Sequence, residues 1–401
     1  MVSAPRILTY QGIPVWRHVQ IIQWAVQIMS GIVVVALVVW FFSNMVGAIQ
    51  DRDIPSGFSF LSREYQTPIG EHFLPYDSSD TFLYALMVGI TNTAIVAVAG
   101  VFLATALGIF IGVSRLSTNW IVSKLAMVYI EFFRNVPLLV QLFFWFYIVL
   151  ELPGIRESVV VADAFYLSNR GFSMPWPTPT DYTVALIWLG LAAIAIVAGA
   201  LVYRRQARME EQTGRSGYPL IYSFATAIVI GAITWLVLSF ATGNSPFDIS
   251  VPEPQGRFGN IVGGFTARAG LMVLLTGLVM YTASFIAEIV RAGIQSVGRG
   301  QTEAARALGL SPMNTLRNVT FPQALRVIIP PLISQFLNLT KNSSLGGAVA
   351  YSDLTNIAVT MTQTAPAVSI FMLIMASYLA MSLTWSLIGN IYNRRIRFVG
   401  G

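Results

Sequence analysis

Long apolar runs without charged residues dominate this chain. Six of them approach or exceed the 20 or so mostly apolar residues that a helix needs to cross a bilayer. The runs are continuous rather than alternating, so they favour helices over membrane strands, and we expect no strands. The pattern therefore predicts an all-α integral membrane protein. The six runs are residues 19–50, 81–114, 182–203, 216–247, 269–287 and 354–393.

Two further apolar stretches are interrupted by charge. Residues 125–150 contain Glu131 and Arg134, and residues 327–351 contain Lys341. Counting both stretches predicts about eight transmembrane helices. The first run of the chain is too long for the apolar core of a signal peptide and lacks a small-residue cleavage site, so we interpret it as a span.

Composition supports a membrane protein. Charged residues make up 10% of the chain and hydrophobic residues 55%, whereas soluble domains carry about 25% charge. Both a soluble fold and a disordered chain are therefore excluded. The chain has no cysteine and two histidines, so disulfides, thiolate metal sites and histidine-rich metal centres are not expected.

The positions of the basic residues predict the orientation. If the N-terminus is cytoplasmic and the chain crosses eight times, 16 of the 24 basic residues fall on the cytoplasmic side and six outside. This asymmetry supports an even number of crossings with both termini inside. The basic charge is thereby explained by topology, and nucleic acid is not expected as a partner. The cytoplasmic count includes Arg6, Arg17, Arg215, Arg394, Arg395 and Arg397, and the outside count includes Arg257.

Common catalytic motifs are absent from the sequence. Neither lysine follows a glycine, so there is no phosphate-binding GxxxxGK[ST] loop, and there is no HExxH sequence. The chain is therefore not expected to hydrolyse ATP or to act as a zinc protease. A membrane-embedded enzyme that uses an unrecognised set of side chains stays an alternative.

The loop after the sixth predicted span contains signals for two short helices. Glu303 is expected in the first turn of one helix, where its charge suits the helix dipole, and Gly309 is expected to end it. Ser311 would cap a second helix, with Pro312 at its first position. Pro322 is expected to close that helix.

One face of the first short helix carries small residues. Ala304 lies three and four positions before Ala307 and Leu308, so these side chains share a face. Such a face would allow another protein to approach closely. The alternative is a helical hairpin that packs only against its own membrane helices.

This loop resembles the EAA loop of ABC-importer permeases. In that family the loop docks into a separate ATPase subunit, which binds ATP and Mg, so this chain would need no cofactor of its own. The family pattern ends in Ile-x-Leu-Pro, from which two residues here depart conservatively. The matching positions are Glu303, Ala304, Ala305, Gly309, Val319, Phe321 and Pro322. The resemblance implies that Glu303, Ala304, Ala305, Ala307, Leu308, Gly309 and Ser311 couple the chain to the ATPase.

Three other segments resemble permeases of the polar amino-acid (histidine, glutamate and general L-amino-acid) uptake family. They are residues 131–143, 287–293 and 339–345. The resemblance implies a type I importer core of five helices in residues 81–151 and 267–393. Residues 1–80 would then be an extension with one span, residues 152–266 an inserted hairpin with periplasmic loops, and residues 394–401 a cytoplasmic tail.

The layout is most similar to the larger permease subunit of general L-amino-acid importers. The resemblance implies alternating access in a bacterial inner membrane for polar or general L-amino acids, glutamate, glutamine, aspartate and asparagine among them. A second homologous permease and a periplasmic amino-acid-binding protein are implied as partners. A secondary transporter or channel without an ATPase is the alternative.

Polar residues within the spans are candidates for the substrate path. Glu131 and Arg134 lie on one helix face, so either they neutralise each other or they line the path. Lys341 has no acid on its own helix, and Pro330 and Pro331 are expected to interrupt its span, so it either meets substrate or pairs with an acid of another helix. Glu288 is expected to pair with Arg291. The candidates are Glu131, Arg134, Gln141, Thr282, Ser284, Glu288, Lys341, Asn342, Ser343 and Ser344.

A repeat of small residues predicts where two helices meet. Gly100, Ala104, Gly108 and Gly112 recur every four positions along the second span. Such a stripe allows close approach of a neighbouring helix. We interpret it as a packing seam rather than a binding site.

Overall fold

The computed structural model describes residues 9–10, 13–14, 18–52, 55–213, 217–255 and 260–397. Arg6, Arg17, Arg215 and Arg257 of the charge count lie outside the described residues, as do residues 398–401 of the predicted tail. The side chains of Arg394, Arg395 and Arg397 also lie outside them.

Twelve α-helices form the framework of the described chain. They are α1 (Val19–Asp51), α2 (Phe82–Ser114), α3 (Trp120–Asn135), α4 (Leu138–Leu150), α5 (Tyr182–Thr213), α6 (Pro219–Thr242), α7 (Ala269–Gln295), α8 (Arg299–Ala307), α9 (Pro312–Thr315), α10 (Phe321–Asn342), α11 (Leu354–Met361) and α12 (Ala367–Arg397). By length and composition, six described helices can cross a membrane alone, namely α1, α2, α5, α6, α7 and α12. A bent pair, α3 with α4, would make seven.

The third predicted span is not a straight helix. The helix axis bends by 106° between α3 and α4. The break falls at Val136, whose extended backbone (ψ 128°) suits the residue before Pro137. Gln141 of α4 stabilises the corner, because its Nε2 donates to the carbonyls of Phe133 and Val136 at 3.0 and 2.9 Å. The predicted third span is therefore a bent pair of helices rather than one straight helix.

The seventh and eighth predicted spans are also divided differently. α10 continues through Pro330 and Pro331, so the predicted interruption there is wrong. The chain tightens into a 3-10 helix only at Ser343–Val349. The eighth run then breaks between α11 and α12, where Pro366 disfavours helical geometry in the residue before it.

The expectation of no strands is wrong outside the spans. Ten short strands occur in the described residues: β1 (Thr9–Tyr10), β2 (Ile13–Pro14), β3 (Val159–Val161), β4 (Phe165–Ser168), β5 (Gly171–Met174), β6 (Trp176–Pro179), β7 (Phe247–Ser250), β8 (Glu253–Gln255), β9 (Asn260–Val262) and β10 (Phe265–Arg268). They lie almost entirely outside the long apolar runs, so the continuous pattern of those runs says nothing about them.

Four of these strands form an antiparallel sheet in the order β10-β5-β4-β3, which we call the outer sheet. Strand β10 pairs with β5 so that Arg268 lies opposite Gly171, and the next residue, Ala269, begins α7. The outer sheet is thus covalently continuous with a core helix. We call its side of the membrane the outer side.

The segment before α2 packs on the same core. Residues 58–81, which we call the outer strap, bury Phe60, Tyr65 and Ile69 against α2 and α11. Asn92 of α2 holds the strap through its side chain, since its Oδ1 accepts from Phe73 N at 3.2 Å and its Nδ2 donates to Glu71 O at 2.8 Å. By contrast, α1 and α6 have no buried residue in the described chain.

The most extensive helix contact is between α2 and α7. A Cβ added at Gly108 would lie 2.6 Å from the side chain of Ile286, and one at Gly112 would lie 2.6 Å from Ala287 O. Ala104 is fully buried in the same interface. The predicted seam is thus confirmed. Its partner is α7 at Gly108 and Gly112, whereas Gly100 lies against Leu339 of α10.

We expect Gly112→Val to destabilise the protein, because its branched side chain would collide with the α7 backbone. Overpacking of this kind costs about 1–3 kcal/mol. The thermal unfolding midpoint of the detergent-purified chain, followed by fluorescence-detected gel filtration, should fall. Gly31→Val in α1 is the control, because a Cβ there meets nothing within 4 Å. An unchanged midpoint for Gly112→Val would contradict the seam.

Candidate functional site: the EAA loop and the polar residues of the core

The EAA loop, residues 298–322, begins with a helix that ends as the sequence predicts. Gly309 has a φ of +78°, a left-handed conformation that favours glycine. Gly309 N donates to Arg306 O at 2.9 Å and Leu310 N to Ala305 O at 3.1 Å. This pair of hydrogen bonds is a Schellman motif, which satisfies the last carbonyls of α8.

The second helix of the loop also starts as predicted. Ser311 Oγ accepts from Asn314 N at 3.3 Å, and Pro312 occupies the first position of α9. Pro322 does not close this helix, contrary to the prediction. A π-helical segment, Leu316–Thr320, joins α9 directly to α10, whose first turn contains Pro322 and needs no N–H there.

Most of the small-residue face of α8 is exposed. Leu308 is 83% exposed and Met313, just beyond it, is 69% exposed, whereas Ala305 is 3% exposed and packs inward. Glu303 is exposed but lies in the middle of α8 rather than in its first turn, because the helix starts earlier, at Arg299. The exposed members of the predicted set are Glu303, Ala304, Ala307, Leu308, Gly309 and Ser311.

The loop is held between two core helices. α7 leads into it and α10 leaves it, and the two helices pack closely where Gly293 of α7 meets Ile328 of α10. Gln301 Oε1 of α8 also accepts from Gln323 Nε2 of α10 at 3.3 Å. A displacement of α8 would therefore be transmitted to both helices.

Glu131 and Arg134 do not neutralise each other. In the described residues no ion pair joins them. Glu131 Oε2 accepts from Asn135 Nδ2 at 3.2 Å, and the Arg134 guanidinium lies 5.3 Å from the ring centre of Phe285 in α7. The local ion pair offered by the sequence as one alternative is therefore not formed.

Glu288 and Arg291 form the predicted pair. Arg291 Nε and Nη2 donate to the two carboxylate oxygens of Glu288 at 3.0 and 2.5 Å. Arg291 also donates to Gln295 Oε1 at 2.5 Å. The group forms a chain along the last turns of α7, close to the EAA loop.

The remaining candidates in α4 and α7 are buried. Ser284 Oγ donates to Tyr281 O of its own helix at 2.6 Å, and Thr282 is buried beside it. Gln141 is 3% exposed, and its Oε1 has no hydrogen-bond partner among the described residues. The Nε2 group of Gln141 stabilises the α3–α4 corner, whereas its Oε1 is left to accept from another group.

Lys341 is exposed in the last turn of α10, where a positive charge suits the helix dipole. It forms no ion pair with Glu131 or Glu288 in the described residues. Asn342 and Ser344 are half-buried, whereas Ser343 is buried and donates to Thr340 O at 2.7 Å. The exposed ammonium is therefore available to a ligand or another subunit.

A buried polar cluster around Asp353 was not recognised from the sequence. Asp353 is fully buried and accepts from the backbone N–H groups of Thr355 and Asn356 and from Tyr378 OH. Thr93 Oγ1 of α2 accepts from Leu354 N at 2.9 Å. An aspartate just before the apolar run at Leu354 is a helix-capping signal that could have indicated the start of α11.

Several described helices are long and apolar enough to cross a membrane, and a loop between two of the core helices has an exposed helical face. A family model described as "Binding-protein-dependent transport system inner membrane component" matches residues 218–398. The chain is a permease of this transport class.

Curated relatives narrow the family. The chain is 41% identical over 382 residues to YhdX of Escherichia coli (strain K12), named as an amino-acid ABC transporter permease, covering 94% of each chain. It is 41% identical to the general L-amino acid permease AapQ of Rhizobium johnstonii, covering 93% of this chain and 92% of AapQ. The chain belongs to the amino-acid ABC transporter permease family and is a transport component rather than an enzyme.

Two further comparisons complete these findings. BztB of Rhodobacter capsulatus, named as a glutamate/glutamine/aspartate/asparagine transport system permease, is 36% identical and covers 93% of each chain. Among solved structures, an amino acid ABC transporter crystallised with histidines aligns over 78% of this chain and 95% of its own, with 21% identity and a TM-score of 0.44.

We expect Asp353→Ala to destabilise the start of α11, because the backbone N–H groups of Thr355 and Asn356 and the hydroxyl of Tyr378 would lose their acceptor. Leaving buried donors unpaired costs about 1–3 kcal/mol. Hydrogen exchange read by mass spectrometry should become faster in residues 354–361 and stay unchanged in α7. Asp77→Ala is the control, since the Asp77 carboxylate accepts from Ser79 in an exposed turn. Unchanged exchange in α11 would contradict the role of Asp353.

If Lys341 contacts substrate, Lys341→Ala should weaken uptake while assembly and basal ATPase activity stay unchanged. Losing one charge-assisted contact corresponds to a rise of about tenfold in the half-saturating substrate concentration. Uptake into proteoliposomes measures this. Lys124→Ala, which removes the other lysine of the chain, is the control. Loss of assembly in Lys341→Ala would instead indicate a structural role.

Proposed function

We propose that this chain is one of two permeases in an ABC importer that carries polar or general L-amino acids into the cytoplasm. The exposed face of the EAA loop supports this proposal most strongly. Ala304, Ala307 and Leu308 form a small, apolar face that is exposed to water. Exposure of apolar surface is unfavourable, and binding of an ATPase subunit would bury this face.

The proposed coupling runs through the helices that hold the loop. The ATPase subunit, with its ATP and Mg, would move α8 when it closes. Because α8 lies between α7 and α10, that movement would shift both helices of the core. Alternating access would then be a rearrangement of packed helices, of the kind seen in domain closure.

The substrate class rests on the names of the relatives. AapQ is named for general L-amino acids and BztB for glutamate, glutamine, aspartate and asparagine. We propose the same range for this chain, in the bacterial inner membrane with both termini in the cytoplasm. A second homologous permease would complete the path, and a periplasmic amino-acid-binding protein would deliver the substrate.

Gly309→Asp tests the coupling. The aspartate side chain is strained at this left-handed position, and its charge should disturb the docking face. The core should be unaffected, since a Cβ at Gly309 meets nothing within 4 Å. We expect the complex to insert in the membrane but to lose ATP-driven uptake of L-glutamate and L-glutamine in proteoliposomes. Binding of the ATPase subunit, measured by co-purification, should fall as well.

Gly243→Asp is a matched control. Gly243 also ends a helix in a left-handed conformation (φ +73°) with nothing within 4 Å of an added Cβ, but it lies at the outer end of α6. It should leave uptake unchanged. Normal uptake by Gly309→Asp would contradict the docking role of the loop, and absence of amino-acid uptake by the unaltered complex would contradict the proposed substrates.

A further inference from the structure

A cleft of about 690 Å³ opens on the outer side, between the outer sheet and the ends of two core helices. One wall consists of β4, β5 and β10, and the other consists of the end of α4 and the start of α7. The cleft is large enough for an amino acid. It lies outside the candidate path residues identified above.

Two arginines from distant parts of the sequence meet at this cleft. Arg170 and Arg268 both line it. The pairing of β5 with β10 brings them together, because Arg268 lies opposite Gly171 and Ala269 N donates to Arg170 O at 3.1 Å. They are two of only six basic residues on the outer side of the predicted topology.

Arg170 lies in the turn between β4 and β5, next to the residue that pairs with Arg268. Two like charges held near each other are unfavourable unless an anion offsets them. Glu71 of the outer strap contacts this site through its Oε1, which accepts from Arg268 N at 3.3 Å. Burial raises the pKa of the Glu71 carboxyl, and the charge of Arg268 opposes that rise. The Arg268 guanidinium also donates to Gly70 O.

Arg170 is left without a compensating group. In the described residues its exposed guanidinium takes part in no ion pair and no hydrogen bond. Its backbone is fixed, because Arg170 N donates to Ser168 Oγ at 3.3 Å. The cleft thus holds one arginine tied to the strap and one that is free to bind an incoming anion.

The rest of the lining suits an amino acid rather than a simple ion. Ser173 Oγ and Thr266 Oγ1 lie 2.8 Å apart and present hydroxyl groups, and Asn260 adds an amide. Phe146 and Leu150 of α4 supply an apolar wall. A carboxylate at the arginines would leave an ammonium and a side chain to meet these groups.

We propose that this cleft is an outer vestibule, in which Arg170 and Arg268 hold the carboxylate of an amino acid before it enters the core. The vestibule rests on the proposed function and adds a second, outer binding site to it. Because α7 begins at Ala269 and Gly270 in the cleft wall, an occupant would contact the helix that leads to the EAA loop.

The test compares the assembled complex with its Arg170→Gln/Arg268→Gln variant, and with Arg52→Gln as an outer arginine away from the cleft. Equilibrium binding of radiolabelled L-glutamate and L-glutamine is measured in detergent at low salt, without binding protein. We expect the double variant to lose about tenfold in L-glutamate affinity, as expected for one charge-assisted interaction. L-glutamine should lose less, since it has one carboxylate fewer. Arg52→Gln should bind both as the parent does.

Equal binding by the parent and the double variant would overturn the vestibule, as would a parent that binds neither amino acid. Uptake in proteoliposomes separates this result from a failure of the proposed function. A parent that transports amino acids but shows no arginine-dependent binding retains the function and loses the vestibule. If the double variant only raises the concentration of binding protein needed for uptake, the arginines form a docking surface and the vestibule is again overturned.

Discussion

The close contact between α2 and α7 is the constraint on which the rest of the core depends. It requires glycine at positions 108 and 112, because any side chain there would occupy the space of Ile286 and the α7 backbone. Once α7 is fixed against α2, its two ends determine where the outer sheet and the EAA loop lie. The polar cluster around Asp353 adds a second attachment to α2, through Thr93 and Asn92, near the outer end of the same interface.

Local features were predicted well from the sequence. The end of α8 at Gly309, the cap at Ser311 and the Glu288–Arg291 pair each depend on residues within one or two turns. The stripe of small residues identified a seam because its spacing matches one face of a helix. What the stripe could not provide was the identity of the partner helix, which is a property of the tertiary fold.

The errors have tertiary or backbone causes. Apolar composition alone could not separate a straight span from the sharply bent α3–α4 pair, although Pro137 marked the place. Pro330 and Pro331 were interpreted as a break, but α10 continues through both and packs against α7 and α12. Spacing offered Glu131 as one possible partner of Arg134, whereas the structure places Arg134 over Phe285 of another helix. The docking and path roles of these residues stay predictions.

The continuity of β10, α7 and α8 has a geometric consequence. α7 has 27 residues and so is about 40 Å long, and a tilt of about 5° around one end displaces the other by roughly 3–4 Å. A helix of this length converts a small rotation on one side of the membrane into a shift of about half a helical turn on the other. No loop separates α7 from the outer sheet, because Arg268, the last residue of β10, directly precedes Ala269, the first residue of α7.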